Sequence, residues 1–241
     1  MIKLVHLYPK AMNLYGDQGN LIALLQRLKW LGYDAEIAFV HKGDPLDLTD
    51  VDMIFMGGGS DREQGLIVHD LQRFSDPLYH ALEDGMPALM ICGAYQLMGK
   101  TYQTENEEIS GLGWFDFHTI GAKQRLVGNI IIECEISGHV ERVIGFENHG
   151  GRTYFNDHAL SPWGKVIKGF GNNHKDLGEG LRWRNLIATY LHGPLLPKNP
   201  AVADFFIQTI LKRKGIAWPG DILDNGLETY AHQQIYKRMM T

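Results

Sequence analysis

Pro87-Ala88-Leu89-Met90-Ile91-Cys92-Gly93-Ala94-Tyr95-Gln96 decides how this chain is read. An apolar run stops at a single cysteine, two tiny residues follow, and a helical pattern begins. That order predicts a nucleophile elbow, a sharp strand-to-helix turn that holds one side chain out. A thiol placed there sits at the positive end of a helix, which favours thiolate over thiol. A free cysteine is also often a small buried apolar residue, so the segment by itself leaves two readings open.

The flanking sequence repeats the same alternation. Lys3 to Leu7 reads as a strand, Gly16-Asp17-Gln18-Gly19-Asn20 as a turn, and Leu21, Leu24, Leu25, Leu28 and Leu31 recur at helical spacing up to Gly32. Glu36 to Val40 and Met53 to Met56 are short strands, the latter running into Gly57-Gly58-Gly59. A helix is expected over Glu63 to Glu83 with a break near Pro77, and another from the elbow to about Gly99. Short apolar strands between helices predict a mostly parallel sheet covered on both faces, with ligands beyond the carboxyl ends of its strands.

The second half changes character. Gly111 to Thr119, Leu126 to Ile136, Arg142 to Glu147 and Lys165 to Phe170 read as short, added antiparallel strands. Glu147-Asn148-His149-Gly150-Gly151-Arg152 reads as a polar glycine-rich turn, a site wall or an ordered loop. Leu186 to Tyr190 is a buried strand leading into Leu191-His192-Gly193-Pro194, and Asn199-Pro200 opens a helix closed by Gly215. A last helix is expected from about Asp221, carrying Ile222, Leu223, Leu227, Tyr230 and Ile235. The expected organisation is one α/β domain over residues 1–241, with 221–241 as a C-terminal helical extension.

Composition sets the surroundings of that domain. Of the 241 residues, 44% are hydrophobic and 21% charged, the balance of an ordinary globular protein. A net charge of −5 argues against general nucleic-acid or membrane-surface binding. No run reaches the about 18 apolar residues that span a bilayer, and Met1-Ile2-Lys3-Leu4-Val5 enters a strand pattern directly. Cys92 and Cys134 fall in an elbow and an alternating strand, which suggests reduced thiols and a cytoplasmic setting. No His/Cys spacing suggests a metal site.

His192 stands out among eleven histidines because it too follows an apolar strand. A neutral imidazole there is placed to accept the thiol proton and later protonate a leaving amine. Gly57-Gly58-Gly59 is either a tight turn or a backbone approach that points amides at an oxyanion. It lacks the spacing of a dinucleotide loop, since position 62 is arginine, and the Lys-Ser/Thr of a phosphate loop. Arg125 reads as a solvated cation or as a planar fork for a substrate carboxylate. Asn13-Leu14-Tyr15-Gly16-Asp17 reads as a site lining or, more simply, as the cap of the first helix.

Together the elbow, the glycine turn and the late histidine resemble the class I glutamine amidotransferases. Within them the cobyric-acid-synthase-like branch fits best, on Cys92-Gly93-Ala94-Tyr95-Gln96 and Tyr190-Leu191-His192-Gly193. Asn13 to Asp17, Gly57 to Gln64, Gly145 to Thr153 and Leu191 to Pro194 look like the glutaminase subunits of lipid II isoglutaminyl synthases, a resemblance that covers nearly the whole chain.

That resemblance implies a flavodoxin-like fold with Cys92 attacking L-glutamine and His192 moving the protons. It implies oxyanion amides near Gly58, Gly59 and Gly93, and Arg125 binding the glutamine substrate. It further implies no cofactor in this chain, with ATP and Mg on a MurT-like Mur ligase partner that amidates lipid II. A corrinoid acceptor, or a stand-alone γ-glutamyl cysteine hydrolase, is the alternative. Two departures stand out: Ala94 replaces a usual glycine, and Pro194 occupies the position of the usual acid that orients the histidine. The resemblance then expects the partner to supply that acid, and the isolated chain to be a weak glutaminase.

Overall fold

The structure is a computed structural model that describes residues 1–220 and 223–241. In chain order its strands are β1 (Ile2–Leu7), β2 (Ala35–Val40), β3 (Met53–Met56), β4 (Ala88–Ile91), β5 (Thr101–Gln103), β6 (Glu108–Ser110), β7 (Phe117–Ile136), β8 (His139–Phe155), β9 (Gly164–Lys168), β10 (Gly178–Glu179), β11 (Leu181–Trp183) and β12 (Leu186–Thr189). The helices are α1 (Gly19–Trp30), α2 (Asp61–Gln72), α3 (Ser75–Glu83), α4 (Gly93–Leu97), α5 (Pro200–Arg213) and α6 (Gly226–Met240).

The first sheet runs β11-β12-β4-β3-β1-β2, parallel throughout except at the β11 edge. Read from β2, this is the flavodoxin-like order, with the strand order reversing between β1 and β3. Strands β3, β4 and β12 are buried along their whole length, as wholly apolar strands covered on both faces must be. Leu21, Leu24 and Leu28 place the apolar stripe of α1 in the core, and a partly buried Arg27–Asp204 ion pair ties α1 to α5.

The second sheet runs β10-β9-β7-β5-β6, with β8 paired antiparallel to β7 over nearly its full length. Between Gly121 and Leu126 the β7–β8 register shifts. Such an irregularity bends a ladder and re-aims side chains.

Several boundaries differ from the sequence expectation. The long helix expected over 63–83 is two helices, broken at Arg73–Phe74; Pro77 lies in the first turn of α3, where a missing N–H is harmless. The segment from Glu147 to Arg152 is not a turn but part of β8. Its residues alternate between buried and half-exposed, with Glu147, His149 and Gly151 inside. The period of two was present, but the buried positions carry polar groups or glycine. The last helix begins at Gly226, and the expected contributions of Asp221 and Ile222 lie outside the described residues. Met239 anchors α6 against Ile131 and Ile144 on the β7–β8 pair.

Candidate active site

Four loops meet beyond the carboxyl ends of β1, β3, β4 and β12, and each brings one group. Cys92 follows β4 with φ 52° and ψ −102°, a backbone conformation that residues with a Cβ rarely adopt. This is the strained turn of a nucleophile elbow, held because Cys92 N–H donates to Thr189 O at 2.8 Å while Gln96 N–H donates to Cys92 O at 2.9 Å. Ala94 stands inside α4 with ordinary helical geometry, so the replaced glycine strains nothing.

Gly58, after β3, shows how tightly the loops converge. A Cβ there would lie 2.8 Å from His192 Cε1, 3.3 Å from Cys92 Cβ and 3.4 Å from Asp17 Oδ2. Only glycine lets these three side chains close around one point.

His192 is fully buried, and its Nδ1 donates to Asp17 Oδ1 and Oδ2 at 3.0 and 3.1 Å. The expectation that this chain lacks an orienting acid is therefore corrected. The acid comes from the loop after β1, not from the position of Pro194. Nor does Asp17 cap α1 through its side chain; its carboxylate instead accepts Gly58 N–H at 2.8 Å. Pro194 has a different task. Its Cγ would sit 2.6 Å from a Cβ on Gly19, so the proline packs the histidine loop onto the start of α1. Asn20 fastens the same joint, donating to Asp17 O at 2.9 Å and accepting Leu196 N–H at 2.8 Å.

Burial would lower the His192 pKa, but the hydrogen bond it donates to Asp17 and the neighbouring Cys92 sulfur raise it to about 10. At neutral pH the ring is thus held as an imidazolium, the form that can give a proton to a leaving amine. Its Nε2 is buried and has no hydrogen-bond partner among the described residues, which leaves that edge of the ring for chemistry at Cys92.

The glycine amides divide. Gly58 N–H is already committed to Asp17, so the expected oxyanion role of Gly58 is corrected: this glycine positions the acid. The N–H groups of Gly59 and Gly93 make no hydrogen bond to the described residues, and they flank Cys92 as an oxyanion donor pair would. A capping box at Ser60 and Glu63, with Ser60 N–H donating to Glu63 Oε2 at 2.8 Å, fixes the turn that carries Gly59.

Cys92 opens on a cleft of about 420 Å³, large enough for an amino acid and walled by Tyr15, Gln64, Gln96, Arg125, Asn148 and His149 among others. Arg125 lies within the irregular part of β7, where the ladder turns its guanidinium toward the cleft mouth. Sequence reasoning missed the side chains that hold it. Arg125 Nε donates to Asn148 Oδ1 and its Nη2 to Asn148 O, both at 2.7 Å. His149 is stacked on Tyr190 with centroids 3.7 Å apart, and burial lowers its pKa, so it lines the cleft as a neutral ring.

The geometry is that of a cysteine–histidine–aspartate constellation beside paired free amides and a cation-lined cleft, the equipment for acyl transfer through a thioester. The sequence matches the CobB/CobQ-like glutamine amidotransferase domain over residues 3–200, and the chain belongs to that family.

Two relatives are lipid II isoglutaminyl synthase subunits. The chain is 42% identical over 238 residues to the lipid II isoglutaminyl synthase (glutamine-hydrolyzing) subunit GatD of Staphylococcus aureus, covering 98% of this chain and 96% of that one. It is 36% identical to the GatD subunit of Streptococcus pneumoniae, covering 88% and 82% respectively. A probable cobyric acid synthase of Methanocaldococcus jannaschii is 32% identical, with 77% of this chain matching 38% of that protein. Among solved structures, PurLQS from Thermotoga maritima superposes with a TM-score of 0.60 at 16% identity, over 88% of this chain and 99% of that one. The glutaminase domain of Trypanosoma brucei CTPS, solved with bound acivicin, gives 0.58 at 14% identity, over 90% and 96%. Such low identities speak to the fold alone, which is that of the class I glutamine amidotransferases.

Proposed function

We propose that this chain is the glutaminase subunit of a lipid II isoglutaminyl synthase. It hydrolyses L-glutamine through a Cys92 thioester and delivers ammonia to a MurT-like Mur ligase partner. The observation that carries the reading is the meeting of Cys92, His192 and Asp17 around Gly58, in a chain so similar to two GatD subunits along their length.

In this reading the Cys92 sulfur attacks the side-chain amide carbon of glutamine. The amides of Gly59 and Gly93 receive the developing oxyanion, and Arg125 holds the substrate carboxylate. His192 gives its proton to the departing nitrogen, the C–N bond breaks, and ammonia leaves a γ-glutamyl thioester. Water then attacks that thioester while His192 takes its proton, and the C–S bond breaks to free glutamate and return the cysteine. Asp17 keeps the imidazole aligned through both proton transfers. The partner, using ATP and Mg at its own site, joins the ammonia to the α-carboxyl of D-glutamate in the lipid II stem peptide. A nucleophilic thiol that must stay reduced suits the cytoplasm, and no helix among the described residues is long and apolar enough to cross a membrane.

The test is glutamine-dependent ammonia release, with and without the ligase, in wild type, Cys92→Ser and His192→Ala. Both variants should lose on the order of 10⁴-fold in kcat. A Cys92→Ser chain with wild-type turnover would sink the mechanism. Amidation of a corrinoid in place of lipid II would sink the assigned acceptor.

A further inference from the structure

Asn148 touches both the cation at the cleft mouth and the loop that carries the acid. Its Oδ1 and its backbone oxygen accept from Nε and Nη2 along one edge of the Arg125 guanidinium, both at 2.7 Å. Its Nδ2 donates to Tyr15 Oη, also at 2.7 Å. Tyr15 in turn lays its ring edge-on against His192, with centroids 4.9 Å apart and an interplanar angle of 77°.

The backbone at Tyr15 sits at φ 55°, where a side chain bearing a Cβ is strained. Something must hold it there, and the Asn148 hydrogen bond does so from across the cleft. Tyr15 and Asp17 also flank Gly16 on one short turn (Leu14–Gly16), so one loop presses the His192 ring from the side and holds its Nδ1. A continuous path of contacts therefore runs from Arg125 through Asn148 and Tyr15 to the imidazole.

We propose that Asn148 is a positioning residue that registers the carboxylate seat at Arg125 against the Tyr15–Asp17 loop around His192. The proposal rests on the glutaminase reading, in which Arg125 receives the substrate carboxylate. A glutamine whose carboxylate is seated on Arg125 then has its amide carbon at a fixed distance from the sulfur and the imidazole. A molecule without a carboxylate gains nothing from the arrangement. The role is one of orientation, whose loss degrades reaction of the correctly shaped substrate more than the reactivity of the thiol itself.

Two reagents separate these effects. The glutamine-like diazo ketone 6-diazo-5-oxo-norleucine carries the α-carboxylate, whereas iodoacetamide does not, and both alkylate a reactive cysteine. For Asn148→Ala in the full chain, labelling of Cys92 by the diazo ketone should slow at least 10-fold and KM for glutamine should rise by a similar factor. Iodoacetamide labelling should stay within twofold of wild type. Tyr15→Phe removes only the hydroxyl; it should reproduce part of the loss and add nothing in the Asn148→Ala background. Equal slowing with both reagents would mean Asn148 merely supports the fold, and would overturn the proposal. Unchanged diazo ketone labelling in Asn148→Ala, or additive losses in the double variant, would overturn it too. Failure of the underlying reading looks different: wild type itself would release no ammonia from glutamine and ignore the diazo ketone, removing the carboxylate seat along with it.

Discussion

The two sheets contribute to the cleft in opposite ways. At the carboxyl edge of the parallel sheet, Cys92, His192 and Asp17 are buried in a lattice of short contacts, with Gly58 the only filler that fits between them. Across the cleft, the β7–β8 pair offers Arg125 and Asn148 on an irregular, solvent-facing stretch of ladder. One side fixes reacting atoms where a small displacement is costly. The other presents a charged fork that must meet and release an incoming molecule. The contrast teaches that substitutions on the first side should strike kcat, and those on the second should strike KM.

Asp17→Asn tests the first side most severely after the nucleophile and the histidine. The variant keeps the shape but replaces a carboxylate with an amide that no longer complements an imidazolium. By analogy with other hydrolytic triads, kcat should fall about 1,000-fold with KM little changed. The same loop alters what is expected of the isolated chain. Since the acid comes from within, purified chain should release ammonia from glutamine at a rate within about 10-fold of the complex. A parallel assay of Asp17→Asn with and without the ligase checks this. If the variant and wild type were equally weak alone and both rose with the partner, the acid would have to be the partner's, and Asp17 only a support.

Arg125→Ala probes the other side. Losing a charge-assisted fork removes about 1.5–3 kcal/mol of binding, which raises KM roughly 10- to 150-fold. The kcat should stay within a small factor of wild type. If kcat fell as far as it does for Asp17→Asn, the division of labour between the two sheets would be wrong.

How much of this was legible in the sequence follows the same division. Cys92 and His192 were visible because each ends an apolar strand, and chain order then leaves one place for them, the carboxyl edge of the sheet. The same logic applied to Lys3–Leu7 would have led to Asp17, which also lies on the loop beyond a buried strand. It was hidden by a competing role, since an aspartate before a helix usually caps it. Asn148 and the extended form of Glu147–Arg152 were hidden for a different reason. The strand turns polar groups inward, and Glu147 is satisfied there by Phe170 and Gly171 N–H groups at 2.7 and 3.0 Å, from a segment with no local relation to it. A pattern of buried polar residues looks like a loop until its partners are known.

The two regions are joined at Glu179, which tests how far they are one structure. This residue of β10 is fully buried and reaches from the second sheet to the end of β12, where its carboxyl accepts Tyr190 N–H at 2.7 Å and the Thr189 hydroxyl at 3.1 Å. Burial pushes its pKa up to about 8, against the pull of those hydrogen bonds. The folded state thus keeps a proton that the unfolded chain releases near its ordinary carboxyl value. Stability contributed by the neutral carboxyl is complete below about pH 4.5 and is lost as pH rises toward 8. Glu179→Gln preserves an oxygen acceptor for Tyr190 N–H and cannot ionise. Its unfolding free energy should match that of wild type near pH 4 and exceed it by several kcal/mol (~4) at pH 8.5. Urea titrations at both pH values would show it. A difference between the two proteins that did not change with pH would mean that Glu179 is ionised in the fold throughout, and that the joint between the sheets is an anion site rather than a neutral hydrogen-bonded one.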